Sequence, residues 1–310
     1  MLPSRRRIAS DFSNPSFSYP EPTITARQLI QVARPGLWST QLWFYLLPLG
    51  GHRLLDTVGF WLGAVYVMFP LGLLLYGWND WADYETDRLN PRKGNLLFGA
   101  RLPAEALKRL PWMIAVVQIP FFVAFTLLIG AKFLLWIAAA VAVNACYNSP
   151  AINFKGRPLL DALSQSGYLL VFVLASWVNN VPQLPWPVFL FGLLFAIHSH
   201  LLAEITDIEP DRAAGRRTTA VAIGGGRTKL VVALILLAES TLLFAYFSQT
   251  AMGRLAAGFL LLAGVGFAGD GWLRGGRTIA PRHLAYVLVA WNVVAVASMY
   301  LVWRNGLFVR

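Results

Sequence analysis

Long apolar runs separated by short polar breaks dominate this chain from residue 37 onward. A bilayer core about 30 Å thick takes roughly 17 to 25 apolar residues per spanning helix. Nine runs approach that length. They are Leu37–Gly51, Val58–Trp78, Trp112–Ile129, Phe133–Tyr147, Leu159–Val178, Trp186–Ala203, Leu230–Phe247, Leu255–Gly269 and His283–Trp303, of which the first, fourth and eighth are short. The pattern predicts an all-α polytopic membrane protein with nine transmembrane helices.

Composition agrees with that reading. Hydrophobic residues make up 57% of the 310, charged residues 13%, and the mean hydropathy is +0.56, whereas a soluble domain carries about twice that charge. A formal charge of +11 raises nucleic acid as a partner. The basic residues, however, sit in short segments between apolar runs and form no stripe interleaved with aromatics, so a membrane surface accounts for them better. Cys146, the one cysteine, lies inside an apolar run; it excludes a disulfide framework and reads as packing.

Loop charge gives a separate test of the helix count, because cytoplasmic loops are enriched in Lys and Arg. With the N-terminus inside, only Arg53, Lys132, Arg254, Arg304 and Arg310 of the 26 basic residues fall outside. The expected location is a cytoplasmic membrane, with the two longest loops, after helices two and six, on the inner side. Residues 1–27, with Arg5, Arg6 and Arg7 before a Pro/Ser-rich stretch, read as a disordered basic cytoplasmic tail without a signal-peptide core. Residues 28–310 read as a single membrane-embedded domain.

Both long inner loops open with acids. The first reads Asn79-Asp80-Trp81-Ala82-Asp83-Tyr84-Glu85-Thr86-Asp87-Arg88 and continues Asn90-Pro91-Arg92-Lys93-Gly94. On a continuing helix Asp80, Asp83 and Asp87, spaced three and then four, would share one face. The second carries Glu204, Asp207 and Asp211 with the same spacing, each 124 residues after its counterpart. The bases repeat too, with Arg88, Arg92 and Lys93 matching Arg212, Arg216 and Arg217. Either cluster alone is what a solvated helix end looks like; a matched pair with matched bases, on one side, is not.

Two such acidic faces, meeting across a shared cavity, suit Mg2+, which takes hard oxygen ligands and is usually held by one or two carboxylates plus substrate phosphates. Metal-bound diphosphate is a good leaving group, and basic side chains complete the clamp. The allylic cation left behind is stabilised by aromatic faces, and Tyr76, Trp78, Trp81, Tyr84 and Tyr147 lie close in sequence. A third inner segment, Asn153-Phe154-Lys155-Gly156-Arg157-Pro158, offers Lys155 and Arg157 to the diphosphate. Arg34, in Ala33-Arg34-Pro35-Gly36, is offered likewise; all three are also plain positive-inside anchors.

The stretch Asn79 to Asp87 resembles the NDxxDxxxD signature of the UbiA superfamily of membrane prenyltransferases, and Asp207 to Asp211 resembles its second DxxxD. Within it, Leu75-Tyr76-Gly77-Trp78-Asn79-Asp80, Asn90-Pro91-Arg92-Lys93-Gly94 and Phe154-Lys155-Gly156-Arg157-Pro158-Leu159-Leu160-Asp161 are similar to bacterial lycopene elongases, over about Arg34 to Lys229. The resemblance implies Mg2+-dependent transfer of a prenyl group from its diphosphate to a lipophilic acceptor. It implies metal binding by Asn79, Asp80, Asp83, Asp87, Asp207 and Asp211, with Asp80, Asp83 and Asp207 central to catalysis. Diphosphate binding falls to Arg34, Arg92, Lys93, Tyr147, Lys155 and Arg157. Two positions depart from the pattern: Asn153 stands where a base is common, and Glu204 where an uncharged residue is common, so Glu204 is left out of the ligand set. For a lycopene-type acceptor, its terminal C=C would attack the dimethylallyl cation, and the resulting tertiary cation would lose a proton or be hydrated.

Other residues remain open. His200 stands four residues before Glu204, for a structural bond or a proton relay, with His198 beside it. Glu239, in the seventh run, is an ionisable group in a span and so faces the bundle interior, with Asn144 or Asn292 as expected partners. Gly224-Gly225-Gly226 reads as a hinge, since no strand precedes it. Rival functions are an aromatic or quinone-type acceptor, a terpene cyclase on the same scaffold, a CDP-alcohol phosphotransferase, whose DG-and-AR pattern is missing, and a transporter, whose ionisable groups would lie at the midplane.

Overall fold

The chain breaks just ahead of the first apolar run. Pro35 has no N–H and disfavours the α region for the residue before it. Helix α1 (Ala26–Val32), capped by a reciprocal Thr25–Gln28 box, therefore stops; Arg34 turns left-handed (φ 50°, ψ 71°), and a 3-10 turn (Pro35–Leu37) restarts the chain as α2 (Trp38–Leu46). In this computed structural model residues 23–87, 90, 92–278 and 281–309 are described. The predicted tail before Thr23, and Arg88, lie outside them.

The second run is interrupted. Pro70 separates α3 (Val58–Met68) from α4 (Pro70–Ala82), and a bilayer has no water to satisfy carbonyls freed at such a break. Two glutamines bond the carbonyls on either side of it. Gln118 Nε2 donates to Pro70 O (2.7 Å), and Gln41, with its amide turned to donate, reaches Val67 O (3.0 Å) and Met68 O (3.2 Å).

A short α5 (Tyr84–Asp87) and α6 (Ala104–Leu107) precede the long α7 (Leu110–Ile129) and α8 (Ala131–Asn148). The next span is α9 (Leu160–Leu163), a 3-10 stretch (Ser164–Leu169) and α10 (Leu170–Val178). Then come α11 (Trp186–Ala213), a short α12 (Thr219–Ile223), α13 (Gly225–Phe247), α14 (Ala251–Arg274) and α15 (Pro281–Asn305). Among the described residues, eight stretches are long and apolar enough to cross a bilayer. The first predicted run adds the shorter α2 to these eight, some of which are themselves interrupted, as at Pro70 and between α9 and α10.

One expectation is corrected here. The acids from Glu204 to Asp211 belong not to a loop but to α11, which runs ten residues past Ala203 and includes Pro210. Gly224 (φ 83°) starts α13, and Gly225 and Gly226 let its first turn approach the backbone of Gly275 and Gly276.

Outer faces carry large apolar side chains in the open, among them Leu127 (83% exposed), Leu262 (73%) and Trp272 (82%), as a lipid-facing surface requires. The interior is aromatic, with Tyr45, Tyr66, Phe125, Phe133 and Trp136 fully buried. Between α13 and α14 the backbones approach along Gly253, Ala257, Gly264 and Gly271, the small-residue contact that packs membrane helices. A Cβ on Gly264 would stand 3.1 Å from the Leu237 side chain and 3.2 Å from Ala233 O. Ser240 Oγ donates to Ala257 O across the same seam (2.7 Å).

Candidate active site

The acids gather at one end of the bundle, where α4, α8 and α11 finish. Asn79 and Asp80 are the last polar residues of α4, and Asp83 is its C-cap (φ −106°, ψ 14°), so the helix does not continue through it. Asp80, Asp83 and Asp87 thus share no single helical face. Asp80 turns to Arg34 Nη2 (2.9 Å) and Lys93 Nζ (2.5 Å), and Lys93 also reaches Asp87 (2.8 Å). Asp83 turns the other way, to Lys155 and Arg216. Asn79 Nδ2 holds Asp83 Oδ2 (3.0 Å) and Asn148 Oδ1 (3.1 Å), and Asn148 Oδ1 also accepts from Lys155 (3.3 Å).

Between the halves of the chain the pairing is crosswise. Arg92, from the first half, meets Asp207 on α11, while Arg216, from the second, meets Asp83. Arg92 and Arg216 are counterparts at the 124-residue offset, and so are Asp83 and Asp207. The repeat is therefore expressed as a reciprocal exchange, each half's arginine placed on the other half's acid. Arg92 Nη1 also donates to Thr206 Oγ1 (2.9 Å), and Arg216 stands 3.8 Å from Asp211.

Five carboxylates, Asp80, Asp83, Asp87, Asp207 and Asp211, face five cations, Arg34, Arg92, Lys93, Lys155 and Arg216. Among the described residues no three acids or histidines converge on one point, so the two acidic faces meet through their bases rather than directly. The donor chemistry still fits Mg2+, which needs only one or two carboxylates when phosphate supplies the rest. Asp80 Oδ2 is buried and accepts no hydrogen bond, so one hard oxygen remains for a cation. Burial pushes the Asp87 carboxyl above its ordinary value although Lys93 pulls it down. Burial likewise lowers the Lys155 ammonium although Asp83 raises it. Diphosphate alone would leave this balanced cluster negative; divalent cations entering with it restore the balance.

The left-handed turn at Arg34 carries its guanidinium onto Asp80, 3.4 Å from Asn79 Oδ1, and over the Tyr76 ring at 4.7 Å. Such a backbone costs a non-glycine residue on the order of 1–2 kcal/mol, which the buried ion pair offsets. Not every sequence candidate joins the cluster. Arg157 is exposed and makes no ion pair with the described acids, whereas Tyr147, its ring edge-on to His200 (6.3 Å), stands within the field of Asp83 and Arg216. Trp81 points outward at 49% exposure.

A profile of the UbiA prenyltransferase family matches residues 37–293. The chain belongs to this family. It is 34% identical over 217 residues to a lycopene elongase/hydratase of Corynebacterium glutamicum, covering 68% of this chain and 75% of that protein. A lycopene elongase/hydratase of Haloferax volcanii is 33% identical over 171 residues, 53% of this chain and 52% of that one. The structure of a UbiA homologue from Archaeoglobus fulgidus bound to GPP and Mg2+ superposes with a TM-score of 0.66, covering 89% of this chain and 99% of that one at 18% identity, which shows a shared fold.

This integral-membrane prenyltransferase also uses residues that sequence reasoning missed. Asp161, fully buried, accepts from Thr219 N (2.5 Å), Thr219 Oγ1 (2.5 Å) and Ala162 N (2.7 Å). Glu204 Oε2 accepts from Ala220 N (3.0 Å), and its other oxygen lies 3.0 Å from His200 Nε2, as the structural reading of that pair expects. Together they tie the start of α12 to α9 and α11. That anchors the connection carrying Arg216, and it explains why Glu204 is spent on structure. Glu239 pairs with His198 Nδ1 (2.6 Å), not with the expected asparagines. Asn144 donates to Leu74 O (3.3 Å), and Asn292 binds Gly36 O (3.0 Å) and Ser39 (2.6 Å). The clue to Asp161 was a lone acid opening an apolar run; Arg216 was already marked as Arg92's counterpart.

Proposed function

We propose that this prenyltransferase moves a short prenyl group from its diphosphate onto the end of a carotenoid such as lycopene, with Mg2+, at the cytoplasmic face. The crosswise acid–base cluster carries the donor half of the reading. Its five cations already sit where an anion would be clamped, each on a carboxylate that a divalent ion would otherwise neutralise. Asn79, Asp80, Asp83 and Asp87 from one half and Asp207 and Asp211 from the other would hold Mg2+. The metal's contribution is to neutralise the charge that grows on the diphosphate as the allylic C–O bond ionises.

Arg34, Arg92, Lys93 and Lys155, with Arg216 added, bind and orient the diphosphate oxygens once released from their acids. The Tyr76 ring, beneath Arg34, marks where the cation end of the donor begins. Keeping water from the bound donor would protect the allylic cation from being quenched. The acceptor half rests on similarity to lycopene elongase/hydratases. The bias of Lys and Arg to one side supports the cytoplasmic placement.

Expression in a lycopene-producing host followed by mass spectrometry of the pigments tests the acceptor. Pigments that gain one or two C5 units are the expected result. Unchanged pigment would overturn the carotenoid reading and move the search to aromatic or quinone-type acceptors.

A further inference from the structure

Glu239 and His198 are not used by the donor chemistry, yet both are buried in mid-span, at 0% and 3% side-chain exposure. An ionisable pair at membrane depth is costly and marks function more often than packing. Their contact is His198 Nδ1 to Glu239 Oε1, 2.6 Å, between α11 and α13. Glu239 Oε2 is buried without a hydrogen-bond partner, so the pair is not a satisfied structural clasp.

A row of aromatic groups links this pair to the diphosphate end. Tyr76, under Arg34, meets Tyr168 hydroxyl to hydroxyl at 2.8 Å. Tyr168 packs on Phe44 (5.8 Å), Phe44 on Phe195 (5.8 Å), and Phe195 edge-on against His198 (5.2 Å). Tyr76, Tyr168 and Phe195 are only half-buried although they lie within the bundle. Along α11, His198 stands nine residues before Asp207, about 13 Å deeper at 1.5 Å per residue. A metal-bound diphosphate followed by a C5 unit and the reacting end of the acceptor spans a comparable length.

We propose that His198, held by Glu239, is the base that ends the reaction. The inference rests on the carotenoid reading above. The donor's C1–O bond breaks, diphosphate leaves, and C1 bonds to the terminal alkene carbon of the acceptor. Positive charge then lies on the neighbouring tertiary carbon, where the aromatic row stabilises it. With Nδ1–H donated to Glu239, Nε2 of His198 takes a proton from the carbon next to that centre. The C–H electron pair becomes the new C=C. The proton rests on a carboxylate-stabilised imidazolium and is lost to water when the products leave.

The test uses the purified full-length protein with dimethylallyl diphosphate, Mg2+ and lycopene, reading diphosphate release and carotenoid masses together. In Glu239→Gln and His198→Gln, diphosphate release should stay within about threefold of wild type. The alkene product should fall by about a hundredfold relative to the product that has captured water, the range of general-base contributions. Glu239→Asp keeps the charge with a shorter reach and should shift the same ratio by about tenfold, which provides a reading should the Gln variants fold poorly. An unchanged alkene-to-alcohol ratio in these variants would overturn the proposal, as would a proportional loss of both outputs in folded protein. Wild-type protein that releases diphosphate but leaves lycopene unaltered would instead overturn the acceptor reading, without recourse to any variant.

Discussion

Asp83→Asn and Asp207→Asn should be equally damaging to turnover and unequal in their cost to stability. Asp83 is 4% exposed and holds two cations, Lys155 at 10% and Arg216 at 22%. The amide keeps the shape and one bond to Asn79 but turns an NH2 toward two ammonium-type donors. Breaking one side of a buried pair costs about 3–5 kcal/mol. Arg216 can fall back on Asp211, 3.8 Å away, which brings the figure to about 2–3 kcal/mol. Asp207 is 27% exposed and its one ionic partner among the described residues, Arg92, is 16% exposed and keeps Thr206, so its loss costs about 1 kcal/mol. Thermal unfolding of the detergent-solubilised protein, followed by size-exclusion chromatography after heating, reads the difference. Asp83→Asn should lower the midpoint by on the order of 5 °C or more and Asp207→Asn by about 2 °C, while each cuts turnover at least about a hundredfold. Equal midpoints, or a larger fall for Asp207→Asn, would refute the idea that Asp83 is the hub of the cluster.

Two further outcomes follow from the packing. Asp161→Asn should loosen the start of α12, costing about 1–2 kcal/mol in stability, and should raise KM for the prenyl diphosphate more than it lowers kcat, because Arg216 is placed through that connection. Gly264→Leu, forced against Leu237 and Ala233 O, should abolish recovery of folded protein, whereas Gly258→Ala, with nothing within 4 Å of the added carbon, should leave recovery unchanged or gain up to about 1 kcal/mol.

Much of this is visible in the amino acids before any coordinates. A bilayer admits few solutions, so the apolar runs locate the spans. The 124-residue repeat marks Asp83 with Asp207 and Arg92 with Arg216 as equivalents. What the repeat does not say is that each arginine crosses to the opposite acid, since that depends on how the halves face each other. The polar stretch after Ala203 looks like a loop because its acids are hydrophilic, yet their three-then-four spacing is equally that of a helix, and α11 continues through it. The His198–Glu239 pair was beyond reach for a related reason. Periodicity assigns a face to each helix, but the register of α11 against α13 is decided by side-chain packing along the whole seam.

The central claim is that paired acids and Mg2+ drive the transfer, and chelation of the purified enzyme tests it most directly. With labelled dimethylallyl diphosphate and lycopene, excess EDTA should stop both diphosphate release and label transfer, and added Mg2+ should restore both. Full label transfer in EDTA, or in Asp83→Asn, would contradict the account.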